Sequence, residues 1–446
     1  MAIIHQQCFF SWKDCEDLGD LERLQLVLDN MPDEKLMQTL ETIRGYGRDD
    51  NPVRPVWNSL LAGIVFEHKS IEGLRRELQR NAQLRELCGF NPLLGSSAVP
   101  SSSSYSRFQE ALLEQDVLVE EIFDSLVENL RNDLPDFGKE MAFDGKAISS
   151  AAKGRRKEKQ GEEKSPDRRR EDDANWGVKS YKGVGKDGTP WEKTKSWFGF
   201  RLHLIIDAQY ELPIAFELAK ASTGEQPVIR QMFDDLANEH PELVEGCEYA
   251  MGDKGYDSAA TIKKLWEDHK IKPIIDIKNM WKDGEETRML ETLDIRNVTF
   301  DYKGTVFCHC PITGEIRDMA FGGFEKDRDT LRYHCPAKQY GLECKGTHRC
   351  PLFNKSMRIP LKEDTRIFTA VARSSYKWKK LYNKRSAVER VNSRIEVSFG
   401  FEKHYIRGLK KMKLRCGLAL CVMLSMALGR IRQDQADLMR SLVKMA

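Results

Sequence analysis

Long apolar runs are scarce in this sequence: no stretch of about 18 residues is both apolar and free of charge, so a bilayer-spanning helix is not expected. One-sided charge is missing as well, because 71 Lys+Arg stand against 69 Asp+Glu, a formal +2 over 446 residues. The first ten residues run straight into Asp14, Glu16, Asp17 and Asp20, which does not fit a targeting peptide. Internal repeats and a close Cys-x2-Cys pair are also absent. With 40% hydrophobic residues and a mean hydropathy of −0.55, the chain is expected to be globular and cytoplasmic, with no membrane partner. Its length favours two or three domains.

The near-neutral total conceals two opposed regions. Residues 1–143 hold 14 basic and 25 acidic residues, whereas residues 377–415 hold 13 basic and 3 acidic. The second stretch suits a polyanion such as nucleic acid, and reads equally well as a solvated helix face. Eleven cysteines in a reducing compartment should be thiols unless a metal holds them. Five of them, Cys308, Cys310, Cys335, Cys344 and Cys350, fall within 43 residues beside His309, His334 and His348.

Residues 17–130 place leucines, valines and aromatics at three- and four-residue spacing, which predicts helices, with a Ser/Pro break at 95–104. From residue 138 the pattern turns to strands and alternation: a short strand ending at Asp144, a strand over Trp197–Asp207 and a hairpin partner at Leu212–Ala219. A helix over Glu225–Glu239, a strand at Tyr249–Asp253, a helix over Ala259–His269 and a strand at Ile271–Ile277 follow. Residues 151–170 are basic and almost without apolar side chains, and 283–359 lose all periodicity; both read as insertions. Helix returns at Trp378–Phe401, then a buried apolar helix over Gly417–Gly429. The fold class expected is α/β (α+β), a layered sheet flanked by helices. The division expected is a helical domain over 1–137 and a catalytic domain over 138–446, interrupted by a basic insertion at 145–195 and a Cys/His insertion at 283–359.

Asp144 and Asp253 each close a predicted strand beside turn residues, where open α/β sheets present ligand groups. Taken singly, a strand-end aspartate is more often a turn residue. On the helix, Tyr382, Arg385, Glu389 and Glu396 fall within about 60° of one another at 100° per residue. Two aspartates and a glutamate form an all-oxygen set suited to two Mg²⁺ or Mn²⁺ ions rather than zinc. Such a pair supports in-line attack at phosphorus.

Phe143-Asp144-Gly145-Lys146, Gly252-Asp253-Lys254-Gly255-Tyr256-Asp257 and Tyr382-x2-Arg385-x3-Glu389 occur in the order found in the DDE transposases of bacterial insertion sequences, in the branch with a Tyr-x2-Arg-x3-Glu-x6-Lys signature. The sequence resembles this family over roughly 138–430, and residues 51–113 are similar to the helical domain that commonly precedes its core. The resemblance implies an RNase H-like core in which Asp144 bridges two metals while Asp253 and Glu389 each complete one. Tyr382 and Arg385 would bind phosphates near the cleaved strand. The signature lysine is Glu396 here, so its contact would fall to Arg394 or Lys403, or Glu396 would compete as a ligand. Arg390, Arg394, Lys403, Arg407, Lys410 and Lys411 are the further residues expected on DNA. Asp257 reads as a turn or helix-capping residue, and His203 as structural or DNA-facing. Trp281, Trp176 and Trp378 could stack on an extruded base, although packing explains each as well.

The spacings Cys308-x-Cys310 and Cys335-x8-Cys344-x5-Cys350 would allow four thiolates, with His334 or His348 as substitutes, to hold a structural Zn²⁺ in a loop-rich insertion that lacks its own core. Unliganded thiols are the alternative. The function implied is a transposase that cleaves transposon ends and joins 3′-hydroxyls to target DNA, as a homodimer in the DNA complex. An RNase H-like nuclease without strand transfer, or a domesticated DNA-binding relative, remains the alternative.

Overall fold

A computed structural model describes residues 17–45, 51–152, 171–184, 187–401 and 403–442. Among the described residues, seven α-helices come first: α1 (Glu22–Asn30), α2 (Glu34–Arg44), α3 (Val53–Val65), α4 (Ile71–Arg80), α5 (Ala82–Cys88), α6 (Ser102–Glu114) and α7 (Asp116–Asp133). Side-chain caps start several of them: Ser70 accepts from the Gly73 N–H, Asn81 from Leu84 and Ser101 from Ser104. Most of the basic segment 151–170 lies outside the described residues.

The main sheet is built from β1 (Glu140–Ser149), β2 (Asn175–Val184), β3 (Pro190–Asp207), β4 (Leu212–Lys220), β5 (Tyr249–Gly252) and β6 (Lys272–Ile275). Its order is β2-β3-β1-β5-β6, with β4 paired to β3. β3 runs antiparallel to β1 and β4, while β5 and β6 run parallel to β1, the mixed arrangement expected of an RNase H-like core. Helix α8 (Glu225–Glu239) and α9 (Pro241–Gly246) connect β4 to β5, and α10 (Ala259–Lys263) leads by a π-helical turn toward β6.

Three expectations are corrected. β1 does not end at Asp144 but continues to Ser149, because its far edge is still held by β3 after β5 has stopped. The segment 145–195 is not simply an insertion, since β2 and the first half of β3 form a long hairpin there. That hairpin leaves the sheet at Gly199, whose φ is +155°, and a Cβ there would lie 2.2 Å from the Ile148 carbonyl oxygen, so only glycine permits the passage. Finally, 283–359 has a core of its own.

That core lies between two small antiparallel sheets. One contains β7 (Arg288–Met289), β8 (Val298–Phe300), β9 (Val306–His309) and β10 (Ile316–Asp318); the other contains β11 (Ala320–Glu325), β12 (Thr330–His334) and β13 (Met357–Pro360), with the short α11 (Pro336–Tyr340) following β12. Val298, Phe300, Val306, Leu331, Tyr333 and Ile359 are buried together. These strands have only two to six residues and many intermediate positions, so their period-2 pattern is too brief to register in the sequence.

The chain closes with α12 (Tyr376–Lys384), α13 (Ser386–Ser398) and α14 (Leu409–Arg432). The single helix expected over 378–401 is thus two, divided at Arg385. α14 is long and apolar enough to cross a membrane by length and composition, but its middle is buried against α1, α3, α7 and β4. Its apolar surface fills the seam between the helical region and the sheet, and one hydrophobic cluster runs from Leu24 through Phe143 to Leu428.

Candidate active site

Parallel pairing of β1 with β5 runs from Glu140↔Tyr249 to Phe143↔Gly252. The next residues are Asp144 and Asp253, so the register sets the two aspartates side by side where β5 ends and β1 runs on, with backbones about 5 Å apart. Phe143 anchors this end edge-on to Phe233 and Tyr256, at ring separations of 5.8 and 4.9 Å. A Cβ on Gly252 would lie 2.4 Å from the Phe143 ring, which is why β5 ends in glycine. Asp253 then accepts from the Gly255 N–H at 2.6 Å and starts a one-turn helix over Lys254–Tyr256.

One carboxyl oxygen of Asp144 is buried without a hydrogen-bond partner. Burial pushes its pKa up to about 6; the charges of Asp253 and Glu225 push the same way, while Lys179 and the Gly145 N–H oppose them. Lys179 belongs to β2, so the hairpin curls back far enough for its charge to reach the site. Lys193 and Lys195 share this face of the hairpin, Lys195 directly opposite Lys179. Tyr256 is fully buried, and its hydroxyl too has no partner. Burial, then the charges of Asp144, Glu225 and Asp253, raise its phenol far above the ordinary value. Glu225, Tyr256, Lys179 and Arg201 were not singled out from sequence; only Tyr256, three residues after Asp253, lies within a motif that could have flagged it.

Helices α12 and α13 pack over the same end of the sheet, against β5 and β6 and against β1 and β3 respectively. Tyr382 stacks on Trp378 at 4.7 Å with an 11° interplanar angle, and the Arg385 guanidinium lies 5.7 Å from the Tyr382 ring. Burial raises the Tyr382 phenol, and the charges of Asp276 and Asp253 add to this. Arg385 donates to Glu389 at 2.8 Å, and both the Glu389 and Asp144 charges favour its protonated form. Arg385 is thus bound to Glu389 and lies within range of the Asp144 charge. Glu389 itself is 57% exposed and is not gathered with the two aspartates in this state. Glu396 is ion-paired with Lys146 at 2.5 Å.

The expected DNA-facing cations divide into two groups. Arg390 binds Glu211 at 2.7 Å, and Arg394 binds the same carboxylate, which lies in the β3–β4 turn and also meets Arg440 at 3.4 Å. These two arginines brace α13 on the sheet. Lys403, Arg407, Lys410 and Lys411 are exposed.

The structure decides between the readings of the neighbouring residues. Asp257 closes the one-turn helix over Lys254–Tyr256 but does not N-cap α10, which Ser258 does; its buried carboxylate pairs with Arg366 at 2.9 Å and accepts from the Lys278 N–H at 2.7 Å. His203 is buried, with both ring nitrogens unpartnered, so it does not face DNA. Trp281 packs edge-on to Phe300 beneath Arg288, and Trp378 is occupied by Tyr382; Trp176 is half-exposed beside Phe198.

All five clustered cysteines line one small cavity of about 20 Å³. Hydrogen bonds from Thr313 and the Ile312 N–H lower the Cys310 thiol to about 6, while burial raises Cys308 to about 11. His334 lies instead against Gly322. Among the described residues, no three His, Cys, Asp or Glu side chains already stand in a metal-holding arrangement, at either the carboxylates or the thiols. The donor chemistry nevertheless fits a hard cation at the aspartates, where a buried anionic oxygen lacks any donor.

Comparison with known proteins decides the family. The sequence matches the family model described as transposase DDE domain over residues 164–425, more than half of the chain. The chain belongs to this family. It is a DDE-type DNA transposase. The matched span holds Asp253, Glu389 and the Cys-bearing region, whereas Asp144 precedes it. No curated protein matches the sequence. A cryo-EM structure of a piggyBac transposase synaptic complex with hairpin DNA is similar at 13% identity, with a TM-score of 0.28, covering 97% of this chain and 87% of that one. The family match, not this likeness, identifies the transposase.

Proposed function

We propose that the transposase cleaves the ends of its element and joins the 3′-hydroxyls to target DNA at a centre formed by Asp144, Asp253 and Glu389. The observation that carries this reading is the Phe143↔Gly252 register, which puts two carboxylates side by side with one buried oxygen unpartnered. Asp144 and Asp253 would hold Mg²⁺ or Mn²⁺, joined by Glu389 once Arg385 is drawn to phosphate. Two such ions, when bound, activate a water or 3′-hydroxyl and stabilise the leaving oxygen. Arg385, bound to Glu389 at 2.8 Å and lying over the Tyr382 ring, would receive a non-bridging phosphate oxygen. Lys403, Arg407, Lys410 and Lys411 would track the DNA backbone, together with the lysine face of the β2–β3 hairpin. Holding two ends requires more than one copy, most simply a homodimer on DNA, acting in the cytoplasm at the nucleoid of a bacterium that carries the insertion sequence.

The thiol cavity is proposed as a structural Zn²⁺ site. Five thiols bordering a space of about 20 Å³, one of them shifted toward thiolate, support it. Metal analysis of the purified full chain should find about one zinc per chain, and less than about half an equivalent would exclude it.

The catalytic reading is tested with labelled oligonucleotides carrying the element's ends and a supercoiled target. Wild type should give Mg²⁺-dependent 3′ nicks and joined products; Asp144→Asn and Asp253→Asn should give neither. Nicking without joining would favour a nuclease, and unchanged Mg²⁺-dependent cleavage by Asp144→Asn would overturn the mechanism.

A further inference from the structure

A fourth carboxylate faces the two aspartates. Glu225 is the first residue of α8, and its side chain spans the glycines that follow both of them. A Cβ on Gly145 would lie 3.5 Å from Glu225 Cγ. A Cβ on Gly255 would lie 2.7 Å from Asp253 Oδ1 and 3.5 Å from Glu225 Oε2, so both oxygens border the same point. The two oxygens of Glu225 have different surroundings. Oε1 meets Arg201 at 3.0 Å, whereas Oε2 is the one beside Asp253.

Acidic residues alone would not make this a ligand site, but two buried polar groups in it lack partners. One is the Asp144 Oδ1 atom, and the other is the hydroxyl of the fully buried Tyr256, whose phenol feels the charges of Asp144, Glu225 and Asp253 together. Buried polar atoms are ordinarily satisfied, and anionic oxygens that face one another need a cation between them. Arg201 supplies only part of that charge. Its side chain packs over Gly145, where a Cβ would lie 3.2 Å from its Cδ, and it also reaches the Thr223 carbonyl at 3.3 Å and lies 5.1 Å from the Trp197 ring.

We propose that Glu225 is a fourth ligand of the catalytic metal centre, binding the cation with Asp144 and Asp253, and that Arg201 holds its carboxylate in position when no cation is present. A side chain at 255 would crowd Asp253 Oδ1 at 2.7 Å and one at 145 would crowd Arg201 Cδ at 3.2 Å, so glycine at both positions leaves room for the carboxylates and for the arginine that holds Glu225. Hard divalent ions take about six oxygens, and Glu225 contributes one from an element independent of α13. This inference rests on the reading of Asp144 and Asp253 as metal ligands.

The test is Mn²⁺ binding by the full chain without DNA, followed by calorimetry and electron paramagnetic resonance. Glu225→Gln, which keeps the shape and a contact to Arg201, should weaken Mn²⁺ binding by about tenfold or more while leaving the metal-free melting temperature nearly unchanged. Unchanged Mn²⁺ affinity with a lowered melting temperature would assign Glu225 a purely structural role and overturn the proposal. Asp144→Asn separates the two levels: if it weakens binding and Glu225→Gln does not, only the fourth ligand falls, whereas if neither does, the metal reading falls too. Should Glu225→Gln fail to fold, Fe²⁺ and peroxide on wild type give an independent readout. Backbone cuts at 224–226 as well as at 144–145 and 253–255 support the proposal, and no cut at 224–226 overturns it.

Discussion

Lys146 and Glu396 form an ion pair at 2.5 Å between β1 and α13, two residues beyond Asp144 on the same strand face. Glu396 occupies the position of the family's signature lysine, so charge at this place is retained with the partners exchanged: the cation comes from the strand and the anion from the helix. Lys146 is mostly buried and Glu396 about one-third exposed, a setting in which breaking the pair costs more than at an open surface. Glu396→Lys should therefore lower stability by about 1–3 kcal/mol through like-charge contact, and adding Lys146→Glu should recover most of that loss. Urea midpoints of the two single variants and the double variant measure the coupling. Strict additivity would exclude the pairing.

Asp144 should cost the metal-free transposase stability at neutral pH. Its folded pKa of about 6 lies above the ordinary 3.8, so the native state binds the proton more tightly than the unfolded chain does. The favourable protonated state is fully present below about pH 3.8 and is lost as pH rises through about 6. Asp144→Asn should raise stability by on the order of 3 kcal/mol at pH 7.5 in a chelating buffer, and by only about 1 kcal/mol at pH 4.5. Thermal melts at the two pH values check it, and an equal effect at both would rule out the buried charge as the cause.

His203 predicts the opposite slope. Burial, helped by the Arg201 charge, lowers its pKa from 6.5 to about 4, so the unfolded chain takes up a proton over a range where the native protein does not. This loses on the order of 3 kcal/mol as pH falls from about 6.5 to about 4. His203→Leu should flatten that part of the pH–stability curve, as read from denaturant midpoints at pH 7 and 5. A variant with the same acid sensitivity as wild type would assign the loss to other groups.

The Asp257–Arg366 pair ties the Cys-bearing unit to the loop that carries Asp253. Asp257 is fully buried and Arg366 nearly so, and Arg366 also donates to the Lys278 carbonyl at 3.0 Å. Arg366→Met should destabilise by about 3 kcal/mol by leaving a buried carboxylate uncompensated. Proteolysis within 278–366 should accelerate before global unfolding. Unchanged cleavage rates would show that the pair does not couple the two parts.

Much of the site was legible because its chemistry is local. Asp144-Gly-Lys, Asp253-x-Gly-Tyr256 and Tyr382-x2-Arg385-x3-Glu389 are short motifs, and the strand at 249–252 and the helix at 225–239 follow directly from hydrophobic spacing. Glu225 was not legible, since an acidic first-turn residue is ordinary at a helix start. Only the packing of α8 against β3, β4 and the one-turn helix that follows Asp253 sets it beside that residue. The same holds for Arg390 and Arg394, whose attraction to Glu211 depends on a turn some 180 residues away. The hidden core of 283–359 escaped notice because its strands are too short for their alternation to stand out.

The order of chemical groups along the chain, the carboxylates, the five thiols and the split between an acidic front and a basic end, was determined by the sequence alone, since each depends on residue identity and spacing over a few turns. Which of those groups meet was decided by the tertiary structure. Strand register brings Asp144 to Asp253, chain folding brings five thiols to one cavity, and long-range pairing takes two arginines from the DNA-facing set. The physical reason is that register and pairing are fixed by burial of whole faces, a property of the assembled core that no local window contains.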